Sequence, residues 1–260
     1  MLPEHDGPTA VVPVEMSDTG LEERDGIEAK AVVIEQLDRA LRLIDEHRPQ
    51  RITTLGGECS VSLAPFSTLA AEHGDDLAVI WIDSHPDMGT PESAYPGHHA
   101  MAVAALTGHG DPEVLDLLPA TVPTDRIALV GMHDWTDDSY PAIAEEWGLT
   151  VFAPDALRED SNSVLDWLRR TGASKVAIHF DVDTVDSDEI RLGLGADVGG
   201  LTSGQARRVV ADVGDAADVV AMTIAEFVPR QVMHLVEILD GFPLLDGTEP
   251  SPADSPARGR

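Results

Sequence analysis

The sequence predicts an α/β protein with a mostly parallel central sheet and helices on both faces. Short apolar runs, such as 77–82 and 175–180, alternate with segments whose apolar residues recur at helical spacing. Both of these runs end in clusters of carboxylate and histidine, at the strand ends where such sheets collect functional residues. A chain of 260 residues is long enough for one large α/β domain and does not require a second.

The alternation of strands and helices continues along the chain. Helices are predicted over 26–46, 60–73, 99–107, 139–147, 163–171, 202–211 and 231–239. Strands are predicted over 51–55, 77–82, 126–130, 149–152, 175–180 and 219–224, and segment 9–14 is a candidate edge strand ending at Pro13. A single domain is expected over residues 1–246. The tail 247–260, rich in Pro, Ser, Gly and Ala, is predicted to be disordered.

Composition excludes several classes of partner. The net charge of −30 argues against nucleic acid or an anionic membrane, because binding phosphate requires clustered Lys or Arg. Genome composition or a salty habitat would account for this excess of acidic residues, and a local acidic field that attracts cationic substrates is the alternative. Cys59 is the single cysteine, so an internal disulfide is excluded and a reducing compartment fits. With no signal-peptide pattern and no membrane-spanning run, a cytoplasmic protein is expected.

The two clusters suit a metal. Asp83, His85 and Asp87 alternate after one apolar run, and Asp181 and Asp183 follow another, so each set can converge on one side of its strand end. Hard and borderline ligands of this kind favour a divalent metal, or a pair of metals that share carboxylates. Helix N-caps are the alternative, but capping does not require an Asp-x-His-x-Asp run together with a second Asp-x-Asp.

Five segments occur in a characteristic order. They are Leu55-Gly56-Gly57-Glu58-Cys59-Ser60, Asp83-Ser84-His85-Pro86-Asp87, Phe180-Asp181-Val182-Asp183-Thr184-Val185-Asp186, Gly199-Gly200-Leu201-Thr202 and Glu226-Phe227-Val228-Pro229. Together they resemble the ureohydrolase superfamily of arginase, agmatinase and formiminoglutamase over roughly residues 55–239. The family patterns are Gly-Gly-Asp-His-Ser, Asp-Ala-His-x-Asp, Asp-x-Asp-x-x-Asp-Pro and Glu-x-x-Pro. The resemblance implies a three-layer αβα arginase-like fold.

The resemblance also implies roles for individual residues. Asp83 and Asp181 would bridge two manganese ions, His85 and Asp183 would complete one site, and Asp87 and Cys59 the other. The implied reaction is hydrolysis of a linear guanidine or amidine C–N bond by metal-activated hydroxide, releasing urea or a related amide. Asp87 would move a proton to the leaving amine, His99 would be a second acid/base group, and Glu226 would bind the cationic guanidino or amidino substrate. A homo-oligomer, a trimer or hexamer, is expected.

One departure from the family affects the metal directly. Cys59 stands where the family has histidine, and Glu58 where it has Asp. A thiolate suits Zn²⁺ or Fe²⁺ better than Mn²⁺, and Ni²⁺ also remains a candidate. Three explanations stay open: Cys59 binds an altered metal, the site holds one ion, or the site is degenerate. Cys59 as a small buried hydrophobe is the plain structural alternative.

These departures leave two other functions open. One is a single-metal amidohydrolase related to deacetylases, and the other is a catalytically inactive ureohydrolase-like subunit. Substrate-binding loops also differ, since Gly89 replaces an amide residue and His133 an arginine, and the N-terminal part looks shortened. His179 is interpreted as a satisfied core or second-shell histidine. His98 is interpreted as a solvated loop residue.

Overall fold

The computed structural model describes residues 8–245, and a six-stranded parallel sheet forms the centre of this part of the chain. The strands are β1 (Ile52–Leu55), β2 (Leu77–Ile82), β3 (Ile127–Val130), β4 (Thr150–Phe152), β5 (Lys175–Asp181) and β6 (Asp218–Ala225). Their spatial order is β1-β6-β5-β2-β3-β4, and every neighbouring pair is parallel. The predicted α/β class is confirmed.

Helices cover both faces of the sheet. They are α1 (Lys30–His47), α2 (Leu63–His73), α3 (Ala102–Leu106), α4 (Pro112–Leu115), α5 (Tyr140–Trp147), α6 (Asn162–Thr171), α7 (Ser203–Ala216) and α8 (Val232–Leu239). Apolar residues of α6, α7 and α8 pack in one core cluster, and those of α1, α2, α3 and α5 pack in the other. The result is the expected three-layer αβα arrangement.

The period-two geometry of a strand explains the two cores. In β2, Ala78, Ile80 and Ile82 join the cluster formed with α6, α7 and α8. The alternate residues Leu77, Val79 and Trp81 join the opposite cluster. All six side chains are buried, which is why this strand reads as a continuous apolar run in the sequence.

Strand order places the two acidic clusters together. From β2 the chain proceeds through β3 and β4 on one side, and β5 then pairs with the other side of β2. This is a reversal of winding direction, where parallel sheets form a crevice at the carboxyl ends of their strands. Ile82 pairs with Phe180 at that edge, so Asp83 and Asp181 lie side by side at adjacent strand ends.

Several sequence predictions need correction. Segment 9–14 forms no strand in the described structure, so the candidate edge strand is wrong. The helix predicted over 99–107 is a 3-10 turn, His98–Met101, followed by α3. Helix α7 begins as predicted, with a Thr202–Gln205 capping box, but extends further, to Ala216. The predicted disordered tail lies outside the described residues, as does residue 246. Within 8–245, no helix is long and apolar enough to cross a membrane.

Candidate metal centre

The loop after β2 holds Asp83 in one orientation. Its Oδ1 accepts a hydrogen bond from the His85 backbone N–H at 2.7 Å, and its Oδ2 accepts from Trp81 Nε1 at 3.1 Å. The side chain is 1% exposed. Each carboxylate oxygen therefore keeps a fixed direction in the crevice, with lone pairs left for another ligand.

Asp181 and Asp183 are positioned by the turn that ends β5. Asp181 Oδ1 accepts from the Asp183 backbone N–H at 2.8 Å, which caps the 3-10 turn Val182–Thr184. Asp183 Oδ1 accepts from the Ser84 hydroxyl at 2.7 Å, and its Oδ2 lies 3.2 Å from His85 Nδ1. The two acidic clusters of the sequence thus meet through direct contacts.

Cys59 reaches the same crevice from the loop after β1. Gly56 and Gly57 have φ values of 90° and 80°, and a Cβ on Gly57 would clash with Val61 Cγ1. This turn requires glycine and leads into the 3-10 helix Cys59–Ser62. The buried thiol donates to Asp181 Oδ2 at 3.0 Å and lies 3.9 Å from Asp83 Oδ2.

These side chains form two pockets that share Asp83. In the thiol pocket, ligand atoms of Cys59, Asp83, His179 and Asp181 all lie within 4.8 Å of one another. In the imidazole pocket the same criterion brings together Asp83, His85 and Asp183. A third, more exposed group joins His85 to Asp134 and Asp197. The first two pockets contain five of the six residues expected as metal ligands, and Asp87 is the exception.

The residues present fit a divalent metal. Within residues 8–245, His85 is the cationic partner of Asp83 and Asp183, whereas Asp87 and Asp181 form no ion pair. Buried carboxylates normally have a cation or a full set of hydrogen-bond donors. The buried atoms Asp87 Oδ2 and His179 Nε2 also have no hydrogen-bond partner in this part of the chain. Oxygen, nitrogen and sulfur donors with these unsatisfied atoms are the chemistry of a metal site.

Burial and mutual repulsion disturb the titration of these groups. Burial, reinforced by Asp183, raises the pKa of Asp83 from 3.8 to about 6. Burial and the charge of Asp83 raise the pKa values of Asp181 and Asp87 as well. Burial alone would lower the pKa of His85, but its contacts with Asp183 and Asp83 raise it to about 12. Burial lowers the pKa of His179 to about 3, so its ring is neutral.

The metal-free protein is therefore expected to lose stability as pH rises from about 4 to about 6. The folded-state pKa of Asp83 lies above its ordinary value of 3.8, so its contribution is present below that value and is lost through about 6. Asp181 and Asp87 shift in the same direction. Melting temperatures of chelator-treated protein across this range test the expectation. A rise in melting temperature with pH would contradict it, and added Mn²⁺ or Zn²⁺ should stabilise most at the higher pH.

Two further candidate site residues have strained backbones. Asp87 has φ 47° and Glu226 has φ 60°, in the left-handed region that non-glycine residues rarely occupy. Asp87 is buried, and Glu226 directly follows β6. Burial, together with Glu58 and Asp183, raises the pKa of Glu226 from 4.5 to about 7. Glu226 is thus close enough to the cluster to sense its charge, although it forms no hydrogen bond with it.

The structure places His98 and His99 in surroundings that differ from those predicted. His98 is 5% exposed, so the prediction of a solvated loop residue is wrong; it lies at the start of the 3-10 turn before α3. His99 is half-buried, and its Nε2 lies 3.2 Å from Tyr95 Oη. Among the described residues, no hydrogen bond or ion pair joins His99 to the two pockets.

The sequence interpretation missed several supporting side chains. Ser84 bonds both Asp183 and His85 Nδ1, the latter at 2.9 Å, and Trp81 holds Asp83. The sequence did contain a sign of the role of Ser84, because a hydroxyl stands inside the first motif where the family pattern has Ala. Asp197 Oδ2 lies 3.7 Å and Asp134 Oδ2 lies 4.0 Å from His85 Nε2. These two carboxylates add negative charge at the rim of the imidazole pocket.

Fold and site together define a three-layer α/β protein with a cluster of metal ligands at the carboxyl ends of its strands. The arginase family model matches residues 9–234. The chain belongs to the arginase family, which confirms the resemblance seen in the sequence.

Individual relatives agree with this assignment. The chain is 29% identical over 181 residues to an arginase of Staphylococcus aureus (strain MRSA252), an alignment that covers 67% of this chain and 59% of that protein. The arginase structure from Bacillus caldovelox matches with a TM-score of 0.79 at 20% identity, covering 92% of this chain and 84% of that one. Proclavaminate amidino hydrolase from Streptomyces clavuligerus matches with a TM-score of 0.60 at 22% identity, covering 75% and 62%. At these identities the two structures support the fold alone.

Proposed function

We propose that this protein is a metal-dependent hydrolase that cleaves the C–N bond of a linear guanidine or amidine. The observation that carries the proposal is the pair of ligand pockets sharing Asp83 at the reversal point of the sheet. Family membership supports the same chemistry, as do relatives named as arginases and an amidino hydrolase. The substrate, the metal, the oligomer and the cytoplasmic location belong to the proposal.

Different residues of the chain are assigned to metal binding and to proton transfer. Asp83, His85 and Asp183 would hold one ion, and Asp83, Asp181 and Cys59 would hold the other. Bound metal supplies a water acidified enough to act as a nucleophile near neutral pH. Asp87 has a buried, unpartnered Oδ2 and would pass a proton to the departing amine. His99 now contacts Tyr95. It can act at the leaving group only if substrate binding moves it away from Tyr95 and toward the metal ligands.

The charge of the crevice favours a cationic substrate. Asp134 and Asp197 lie at its rim beside His85, and Glu226 lies near the buried carboxylates. A guanidinium group presents several N–H donors in a plane, which a carboxylate binds through charge-assisted hydrogen bonds. Glu226 at the end of β6 is the residue we assign to this contact.

The test is turnover with defined metals and substrates. Purified protein is loaded with Mn²⁺, Ni²⁺ or Zn²⁺ and incubated with arginine, agmatine, guanidinobutyrate and formiminoglutamate. Urea or the corresponding amide should be released with at least one pairing, and a chelator should stop its release. If metal is bound and no pairing gives product, the proposed function is wrong.

Replacing Glu226 with glutamine is expected to weaken binding of the cationic substrate. A hydrogen bond to a charged group is worth about 1.5–3 kcal/mol, so KM should rise by roughly 10- to 100-fold while metal content stays unchanged. Steady-state kinetics on the best substrate of the panel measure this rise. Glu237→Gln on the exposed face of α8 is the matched control and should change nothing. An unchanged KM for Glu226→Gln would remove this residue from the substrate site.

A further inference from the structure

His179 is a second unusual residue in the thiol pocket. Its side chain is 0% exposed, and it lies within the group formed by Cys59, Asp83 and Asp181. Nε2 lies 3.8 Å from Asp83 Oδ2 and forms no hydrogen bond with any described residue. The sequence suggested a satisfied core or second-shell histidine, but only one of its two ring nitrogens has a hydrogen-bond partner among the described residues.

Neighbouring side chains hold the ring in a fixed position. Nδ1 lies 2.8 Å from the hydroxyl oxygen of Ser62, which is itself fully buried. The ring stacks on Trp81 with centroids 3.7 Å apart and planes within 6°. When Nδ1–H donates to Ser62, the lone pair of Nε2 is directed into the pocket. A hydrogen bond from the other ring nitrogen is the usual support of a metal-binding histidine, because it fixes the tautomer and the ring orientation.

Buried polar atoms in proteins nearly always have a partner, and an exception requires an explanation. Here the orphaned atom faces a thiol and two carboxylates, all buried and all metal ligands by type. Cys59 and His179 approach the pocket from different elements, the 3-10 helix after β1 and strand β5. With Asp83 and Asp181, they make four donors, which matches the coordination number of zinc sites.

We propose that His179 is a metal ligand through Nε2 and that, with Cys59 Sγ, Asp83 and Asp181, it forms a pocket selective for Zn²⁺ or Fe²⁺ over Mn²⁺. This assignment rests on the metal centre of the proposed function. On binding, the Cys59 S–H bond breaks, its proton passes to solvent, and the sulfur lone pair forms the bond to the metal without redox change. Thiolate and imidazole are softer than carboxylate, which sets the selectivity.

Metal titrations of wild type, His179→Phe and Cys59→Ser, without substrate, test the assignment. Phenylalanine preserves a flat ring against Trp81 but has no nitrogen. With Co²⁺, wild type should show a near-ultraviolet thiolate charge-transfer band, which Cys59→Ser should lose. His179→Phe should bind the thiol-pocket ion more weakly by at least the roughly 10- to 100-fold that loss of an outer-shell partner costs, and it should retain the ion of the imidazole pocket. His109→Phe is the matched control, because exposed His109 also stacks on a tryptophan, at 3.8 Å and 10°.

Unchanged affinity and spectrum in His179→Phe would overturn the assignment. If that variant fails to fold, a crystal structure of zinc-loaded wild type decides, with Nε2 expected at about 2.0–2.1 Å and Sγ at about 2.3 Å from the ion. Nε2 well outside bonding distance would overturn it. A chain that binds metal through His179 but hydrolyses no guanidine would contradict the proposed function alone. Hydrolysis with normal metal affinity in His179→Phe would contradict this inference alone.

Discussion

The Asp83→Asn variant is expected to lose both bound ions and at least about 10³-fold in kcat/KM. Asp83 is the one residue common to the thiol and imidazole pockets, and its two oxygens are oriented separately by His85 and Trp81. An amide carries no charge and offers only one oxygen to a metal. Loss of metal activation is worth several kcal/mol, and each 1.36 kcal/mol is a factor of ten in rate.

The same substitution should have the opposite effect on the protein without metal. Burial and Asp183 raise the pKa of Asp83 to about 6, so its ionised form is unfavourable at higher pH. At pH 8, chelator-treated Asp83→Asn should therefore melt at a higher temperature than chelator-treated wild type. Asp188→Asn, an exposed acid after β5, is the control and should leave metal content, turnover and melting unchanged. A variant that retains both ions and turnover would show that Asp83 is not a shared ligand.

Lys30→Met is expected to destabilise the protein by about 3–5 kcal/mol, the usual cost of removing one partner of a buried ion pair. The Lys30 and Asp111 side chains are 3% and 4% exposed, with 2.8 Å between Nζ and Oδ2. Burial alone would lower the pKa of Lys30, but its hydrogen bonds to Asp111, Asp25 and Glu113 raise it above its ordinary value. Lys30 begins α1 and Asp111 caps α4, so the pair joins two segments distant in sequence.

Denaturant unfolding of two companion variants makes this expectation specific. Lys175→Met removes the other lysine, whose partly exposed pair with Asp218 is worth about 0–1 kcal/mol. The double variant Lys30→Met with Asp111→Asn should lose less free energy of unfolding than the two single variants lose together, because no unpaired charge then remains buried. A cost for Lys30→Met no larger than that of Lys175→Met would refute a structural role for the buried pair.

The strand signals in this sequence were strong enough to locate the two acidic clusters of the site. The apolar runs before Asp83 and Asp181 are long, fully buried and rich in Val and Ile, so their type and ends follow from the sequence. Parallel neighbours bring their carboxyl ends to one edge, which is why the two acidic clusters were expected to meet. The clusters meet because Ile82 pairs with Phe180, which places the carboxyl ends of β2 and β5 side by side.

Other features depend on tertiary contacts that local pattern does not encode. Segment 9–14 has the residues of a strand but no strand partner in the described structure. His98 and His99 are adjacent and chemically identical, yet one is buried and the other half-buried. The approach of Cys59 to His179 joins residues 120 positions apart through strands β1, β6 and β5, and only the sheet order reveals it.

Metal content per folded chain is the most direct test of the metal centre. Protein equilibrated with Zn²⁺ and freed of excess ion is assayed by elemental analysis, with circular dichroism to confirm folding. Two ligand pockets that share Asp83 predict two ions per chain in wild type and none retained by Asp83→Asn. A folded wild-type chain that retains no divalent ion would contradict the metal centre and, with it, the hydrolase.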